Sequence, residues 1–328
     1  MNTIIRLSVA ILLIVVLALA AVLVFVIGLQ PPASIMAGDG LPDVVTFRNP
    51  RVMPEGIEWW AEENVFLHGS FSQGTIFAVE DDGTSTPFIE NDDFITTVGL
   101  HIDHATNRLL IAHGDFGVFQ NRAPAGPSLS LYAYDLTTRD MLFFVDMSDL
   151  VESERHFTND VTTDANGNAY VTDSFSSVIY RVTPDGEAEA WLDYEGFGEP
   201  GLGLNGIEYH PDGYLIAANM NDQRWFKVPV DDPSGVTEIV LSEPLATDGL
   251  ILHPSGALLA VSDGRVVAVT SDDDWATGTV VAESTNEGTG SATTLALREE
   301  EVYVLVAQLR NPLAIDYSIV RVTWNNAF

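Results

Sequence analysis

The sequence contains no cysteine, which excludes disulfide bonds, thiolate metal sites and cysteine nucleophiles. Basic residues are also scarce: one lysine, Lys227, and 13 arginines stand against 47 acidic residues, giving a formal net charge of −33. A protein of this charge repels nucleic-acid phosphates and anionic lipid surfaces. We therefore expect no nucleic-acid partner.

Two further patterns are missing. No glycine-rich nucleotide-binding motif follows a strand and opens a helix, which argues against a dinucleotide or P-loop fold. No Gly/Ser-rich or Pro-rich linker interrupts the chain after residue 43, so the sequence offers no internal domain boundary. The 328 residues are enough for one large domain.

Charge is absent from Leu7 to Leu29, a run of 23 residues. This length is sufficient for a helix across the ~30 Å hydrocarbon core of a membrane. Arg6 precedes the run and the next basic residue is Arg48, so the positive-inside rule places the rest of the chain outside the cytoplasm. We predict a single-pass membrane anchor over residues 1–29 and a stalk over residues 30–42. The alternative is a cleaved signal peptide and a secreted protein.

A repeated unit organises the remainder of the chain. In the stretch from His156 to Val182, two alternating apolar runs flank the turn Asp164–Gly167, and a third run ends at Pro184-Asp185-Gly186. A fourth run follows over residues 187–192. Four short strands joined by such turns are typical of one blade of a β-propeller.

Six copies of this unit can be aligned. We call the residue at the beginning of the first strand of each copy its start position; these are Glu55, Val98, Asn159, Asn205, Asp248 and Thr293. The separations are 43, 61, 46, 43 and 45 residues, and the insertion Asp115–Ser128 accounts for the longest. This spacing predicts an all-β, six-bladed propeller over residues 43–328.

The last copy supplies only three strands before the chain ends at Phe328. We predict that the strand Asp43–Arg48 provides the fourth and closes the propeller, because closure protects exposed sheet edges.

Strand alternation also assigns loops to faces. The first turn of every copy lies on one face, which we call the lower face. The start positions and the connections between second and third strands lie on the opposite face, which we call the upper face. His104, His210 and His253 occupy ordinary turns on the lower face, whereas His113 follows a second strand on the upper face.

The first strands of a propeller line its central channel, so the start positions should converge at the axis. Two of them, Glu55 and Asp248, are carboxylates that repel each other unless a cation lies between them. With Asn159 and Asn205 they form an all-oxygen donor set, which favours Ca²⁺ over Zn²⁺ or Cu²⁺. Four protein ligands leave coordination positions for substrate, although a purely structural calcium is the alternative.

The motifs PEG, FTND, LNG and TDG at the start positions, together with the stretch FTNDVTTDANGNAYVTDS, resemble a known superfamily. It comprises the six-bladed calcium-dependent propellers of the gluconolactonase and senescence-marker-protein group, diisopropyl fluorophosphatase, the paraoxonases and strictosidine-synthase-like proteins. The resemblance covers about residues 43–324. It implies that Glu55, Asn159, Asn205 and Asp248 bind the catalytic calcium.

By the same resemblance, Asp248 is also the candidate general base or nucleophile, and His113 is similar in position to one histidine of the paraoxonase pair. Val98 and Thr293 stand where paraoxonases and the fluorophosphatase, respectively, have a histidine. Asp160 resembles a ligand of the second, structural calcium of paraoxonases. Because Val98 and Thr293 are not histidines, the histidine chemistry of the paraoxonases and of the fluorophosphatase does not transfer to this sequence.

These observations predict a Ca²⁺-dependent hydrolase acting on a small-molecule lactone or related ester. In the insertion Asp115–Ser128, which we expect to form a lid, Phe116 and Phe119 would supply an apolar wall and Arg122 would meet the product carboxylate. Two alternatives remain open: an organophosphate or aryl-ester hydrolase using the same site, and a non-enzymatic, surface-anchored binding propeller.

Overall fold

The computed structural model describes residues 34–114, 129–198, 201–286, 291–311 and 313–328. Within these ranges the regular structure is β-strand apart from two short 3₁₀ helices, Glu195–Phe197 and Pro233–Gly235. None of the helices in these ranges has the length and apolar character needed to cross a membrane. The predicted anchor and the insertion Asp115–Ser128 lie outside the described residues and stay predictions.

Two strands, β1 (Ile35–Met36) and β2 (Pro42–Arg48), precede a series of antiparallel groups. The first three groups comprise β3 (Ile57–Trp60), β4 (Val65–His68), β5 (Ile76–Val79), β6 (Ser85–Ile89); β7 (Thr96–Asp103), β8 (Arg108–Gly114), β9 (Ser130–Asp135), β10 (Met141–Asp146); and β11 (Thr158–Thr163), β12 (Ala169–Asp173), β13 (Val178–Val182), β14 (Ala188–Asp193). The following groups comprise β15 (Leu204–His210), β16 (Tyr214–Asn219), β17 (Arg224–Pro229), β18 (Thr237–Leu241); β19 (Thr247–Leu252), β20 (Leu258–Ser262), β21 (Arg265–Thr270), β22 (Thr277–Glu283); and β23 (Ala292–Arg298), β24 (Glu301–Val306), β25 (Asp316–Arg321).

Within each group, consecutive strands pair in antiparallel fashion. The groups β15–β18 and β19–β22 form one eight-stranded sheet, because their outer strands β18 and β22 pair in parallel at Val240↔Thr277 and Leu241↔Gly278. The inner strands β3, β7, β11, β15, β19 and β23 each contact the next, and β23 contacts β3. Such a closed ring of small antiparallel sheets is the arrangement of a β-propeller.

The strand β2 completes the last group. It pairs with β25 from Val44↔Val320 to Arg48↔Asp316, which confirms the predicted pairing of the amino-terminal strand with the end of the chain. Val45 and Phe47 on β2 are fully buried and pack in one cluster with residues of the first and last groups, including Phe66 and Tyr303. The short strand β1 adds to the outer edge of β2, within the segment predicted as a stalk.

We expect Val45→Asn to destabilise the protein by about 2–4 kcal/mol, because it removes apolar contacts at the closing strand and buries an amide without a partner. The neighbouring half-buried Thr46 offers a matched control, and Thr46→Asn should cost less than about 1 kcal/mol. Urea unfolding measures both free energies. Equal losses for the two variants would mean that burial of β2 does not hold the propeller closed.

Candidate functional site

A shared backbone irregularity marks the start positions. In five groups the register between the first and second strands shifts at the same place, and the residues skipped are Val98-Gly99, Asn159-Asp160, Asn205-Gly206, Asp248-Gly249 and Thr293-Thr294. In the first group, Glu55 and Gly56 directly precede β3. Register shifts of this kind leave residues outside the ladder and redirect their side chains.

Glycines allow neighbouring start segments to touch. Gly56 has φ +66°, and a Cβ there would collide with the carbonyl oxygen of Val98. A Cβ at Gly99 would lie 2.6 Å from the carbonyl oxygen of Asn159. Because these start segments pack against the backbone of the next one, side chains from distant parts of the sequence come close together.

The four predicted metal ligands meet in one cavity. Glu55, Asn159, Asn205 and Asp248 line a cavity of about 310 Å³ together with Val98. The same four residues and Thr293 also line a second, very small cavity of about 10 Å³. The structure therefore brings together the start positions that the sequence singled out.

Hydrogen bonds orient the two asparagine amides. Asn159 Nδ2 donates to Ser174 Oγ at 2.8 Å, and Ser174 Oγ donates to the carbonyl oxygen of Leu204 at 2.7 Å. Asn205 Nδ2 contacts Met220 Sδ at 3.4 Å. With the amide nitrogens engaged, each asparagine can offer its Oδ1 atom to a cation.

The carboxyl groups are held in an environment that disfavours negative charge. Burial raises the pKa of Glu55 well above its usual range, and the nearby Asp248 carboxylate raises it further. Burial also raises the pKa of Asp248 to about 7, against a hydrogen bond from Asn205 that lowers it. Glu55 Oε2 is buried and has no hydrogen-bond partner. None of the described residues lining this cavity is basic.

These features fit a hard cation. The described residues contain no group of three or more His, Cys, Asp or Glu side chains placed to hold a metal; the donors here are two carboxylates and two amides. An oxygen-only set of this kind suits Ca²⁺, and a divalent charge would balance Glu55 and Asp248. The orphaned Glu55 Oε2 is the atom that such an ion would satisfy.

His113 does not line the 310 Å³ cavity. It is fully buried, its Nε2 accepts a hydrogen bond from the Ile95 N–H at 3.0 Å, and its Nδ1 lies 2.8 Å from Ser130 Oγ. Because Ser130 Oγ donates to the His113 carbonyl, the Nδ1–H must be the donor to Ser130. Burial lowers the pKa of His113 to about 4. These contacts favour a structural role, and its catalytic role stays a prediction.

The other predicted contacts cannot be placed. Phe116, Phe119 and Arg122 lie outside the described residues, so their assignment as lid residues that bind substrate stays a prediction.

A second group of polar side chains was not anticipated from the sequence. Glu58, His101 and Glu208, each three residues beyond a start position, line a cavity of about 220 Å³ with Asp160. His101 Nδ1 lies 3.6 Å from Glu58 Oε1, which also accepts the Ile102 N–H at 3.2 Å. Burial raises the pKa of Glu58 to about 8 and lowers that of His101 to about 4. The three-residue offset from the start positions is the signal that could have found them.

This arrangement predicts a pH dependence of stability. The pKa of Glu58 is about 8 in the folded protein, above its usual 4.5, so the folded state holds the proton more tightly and loses stability as pH rises from 4.5 to 8. The lowered pKa of His101 makes stability rise with pH instead, but only below pH 6.5, the usual pKa of histidine. In chelator, Glu58→Gln should therefore gain about 1–2 kcal/mol relative to the parent protein between pH 6.5 and pH 8.

Urea unfolding at both pH values measures that gain. Glu62→Gln, in an exposed turn, is the matched control and should show the same difference from the parent at each pH. A constant difference for Glu58→Gln as well would show that Glu58 ionises freely in the folded protein.

Comparison with known proteins shows the fold. No family model matches the sequence, and no curated protein matches it as a relative. Among solved structures, the major allergen Mala s 1 of Malassezia sympodialis superposes with a TM-score of 0.71 at 18% identity, covering 86% of this chain and 96% of the allergen. A gluconolactonase from Xanthomonas campestris has a TM-score of 0.57 at 15% identity, covering 90% of this chain and 95% of that one.

Regucalcin from Agrobacterium tumefaciens, a calcium-binding protein, gives a TM-score of 0.57 at 16% identity and covers 84% of this chain and 92% of its own. At such identities the likeness shows the fold alone. It confirms that the chain has a propeller fold of the kind found in gluconolactonases and regucalcin, as the sequence motifs predicted.

Proposed function

We propose that this protein is a six-bladed propeller that binds Ca²⁺ and hydrolyses a lactone or related ester. One observation carries the proposal: Glu55, Asn159, Asn205 and Asp248 line a single cavity in which Glu55 Oε2 is buried without a partner. The ring of six inner strands supports the blade count, with the eight-stranded sheet counted as two blades joined at their outer strands. Neighbours named gluconolactonase and regucalcin agree with the proposed chemistry.

Glu55, Asn159, Asn205 and Asp248 would hold the ion. Bound there, Ca²⁺ would supply a Lewis acid that polarises the ester carbonyl and stabilises the developing negative charge. The asparagine amides, fixed through Ser174 and Met220, keep the donor oxygens in place.

The difference in accessibility between Asp248 and Glu55 identifies Asp248 as the candidate general base. Asp248 is half-buried and lines both the 310 Å³ cavity and an adjoining cavity of about 450 Å³, whereas Glu55 is only 7% exposed. Asp248 is therefore the carboxylate that substrate and water can reach. It would accept the proton of the attacking water, or attack the carbonyl itself.

The test combines metal analysis with a substrate panel. The full-length chain, reconstituted in lipid nanodiscs, should contain about one Ca²⁺ per chain and hydrolyse at least one lactone or aryl ester, with empty nanodiscs as the blank. Hydrolysis of organophosphates alone would favour the second candidate chemistry at the same site. Calcium without any hydrolysis would overturn the enzymatic proposal in favour of a binding propeller.

We also propose that residues 1–29 anchor the propeller to a membrane with residues 43–328 outside the cytoplasm. The uncharged run Leu7–Leu29 supports this orientation. Expressed in a bacterium, the full-length chain should remain in the membrane fraction after carbonate washing. Recovery of a shortened chain in the soluble fraction would indicate cleavage instead.

A further inference from the structure

The walls of the 310 Å³ cavity are apolar above its polar floor. They consist of Met53, Phe71, Val98, Phe157, Met220 and Leu309, and Leu202 completes them. The polar side chains among the described residues lining this cavity are the four candidate calcium ligands alone. A substrate that reaches Asp248 from within this cavity therefore places the rest of its atoms against hydrocarbon and thioether groups.

One residue of the apolar wall also reaches the protein surface. Leu202 is 46% exposed and lies between β14 and β15, in an upper-face connection. Its side chain therefore extends the apolar lining of the cavity to the surface.

This lining discriminates between two kinds of lactone. A polyhydroxylated sugar lactone would bring several hydroxyl groups against the described wall residues, whose side chains neither donate nor accept conventional hydrogen bonds, and each desolvated, unpaired hydroxyl weakens binding. An alkyl substituent would instead gain affinity through burial, by about three- to fourfold for each methylene that leaves water. The cavity volume is within the ~300–1,000 Å³ range of sites that enclose small ligands.

We infer that the substrate is a lactone or ester bearing an alkyl or aryl group, which occupies the apolar cavity while its carbonyl lies at Asp248. The inference rests on the proposed hydrolase function and specifies its substrate class. Leu202, Phe157 and Leu309 are the residues that set this specificity, because their side chains would contact the apolar group rather than the carbonyl.

The experiment compares δ-lactones of one ring size, carrying alkyl chains of zero to five carbons, with glucono-δ-lactone. With the full-length protein in nanodiscs, kcat/KM should rise about three- to fourfold per methylene until the cavity is filled. Glucono-δ-lactone should be hydrolysed at least ~10-fold less efficiently than the pentyl-substituted lactone. A preference for glucono-δ-lactone, or no dependence on chain length, would overturn the inference while leaving the hydrolase function standing.

Two exposed leucines, Leu202 and Leu150, provide a test variant and its matched control. Leu202→Asn should lower kcat/KM for the pentyl lactone about tenfold, and by a much smaller factor for the unsubstituted lactone, which has no alkyl group to contact Leu202. Leu150→Asn is the control, because Leu150 is 42% exposed, also precedes a first strand, and lines neither cavity at Asp248. Both leucines are exposed, so neither substitution should impair folding. Equal effects of the two variants would contradict the assignment of Leu202.

A binding measurement separates this inference from the proposed function. Alkyl δ-lactams, which resemble the lactones but resist hydrolysis, should raise the thermal unfolding temperature more as the alkyl chain lengthens, and Leu202→Asn should reduce that increase. If no lactone is hydrolysed but the lactams bind in this way, the hydrolase proposal fails and the apolar ligand site stands. If lactones are hydrolysed but the lactam effect is independent of chain length, the inference fails alone.

Discussion

Asp248→Asn is expected to lower kcat for the best lactone or ester substrate by at least ~100-fold at saturating Ca²⁺. Asparagine keeps the shape and one oxygen donor but removes both the negative charge and the proton acceptor. Asp248 is the carboxylate that borders both the 310 Å³ and the 450 Å³ cavities, so the loss should fall on turnover more than on folding. Steady-state kinetics across a calcium titration separates the loss of the base from weaker ion binding.

Asp263→Asn is the matched control for this substitution. Asp263 lines the 450 Å³ cavity but not the 310 Å³ cavity that contains the candidate ligands. Removing its charge should change kcat less than about threefold, because it touches none of the reacting atoms in the proposed arrangement. Full turnover by Asp248→Asn at saturating calcium would make Asp248 a ligand only and require another base.

The sequence predicted those parts of the fold that depend on strand periodicity. Alternating apolar residues such as Val45 and Phe47 become buried, and the strand that contains them pairs with the end of the chain as expected. Aligned repeats also brought the start positions to one axis, because equivalent residues of a circular repeat occupy equivalent places. Their role in binding calcium stays a prediction.

Features that depend on contacts between repeats were not predictable. The parallel pairing of β18 with β22 joins two outer strands that share no pattern in the sequence. The register shifts at the start positions are irregularities of the ladder, and periodicity describes only regular strands. Glu58, His101 and Glu208 share a cavity because their strands belong to the same inner ring, although each alone reads as an ordinary alternating position and only their common offset from the start positions relates them.

The apolar walls were missed for a different reason. Met53, Leu202, Met220 and Leu309 lie in connections between strands, where no hydrophobic period indicates which way a side chain faces. A leucine in a loop is usually an isolated exposed residue, and only the fold shows that these side chains surround Asp248. The polar candidate ligands could be identified from residue type, whereas the apolar walls of the cavity required the arrangement of the loops.

Removal of calcium should lower the thermal unfolding temperature by roughly 5–10 °C relative to the same protein in 1 mM Ca²⁺. An ion present at about 1,000 times its dissociation constant stabilises the folded state by about 4 kcal/mol. Each kcal/mol shifts the midpoint of a domain of this size by a few degrees at most. Differential scanning calorimetry with and without chelator measures the change.

Glu55→Gln should be more stable than the parent protein in chelator and less stable than the parent protein in 1 mM Ca²⁺. With chelator present, the variant should be more stable than the parent protein, because the buried, unpartnered carboxylate is replaced by a neutral amide. With 1 mM Ca²⁺ it should be less stable, because it loses a charged ligand and binds the ion at least ~10-fold more weakly. A substitution that removed packing alone would instead destabilise the protein under both conditions.

Glu58→Gln supplies the control for this crossover. Glu58 is three residues from Glu55 and is also a carboxylate with a raised pKa, but it lines the 220 Å³ cavity and not the 310 Å³ cavity. Its substitution should leave the calcium-dependent shift in midpoint unchanged. If both variants reduced the shift equally, the ion would be bound by the general negative field of the channel, and the assignment of Glu55 as a direct ligand would be wrong.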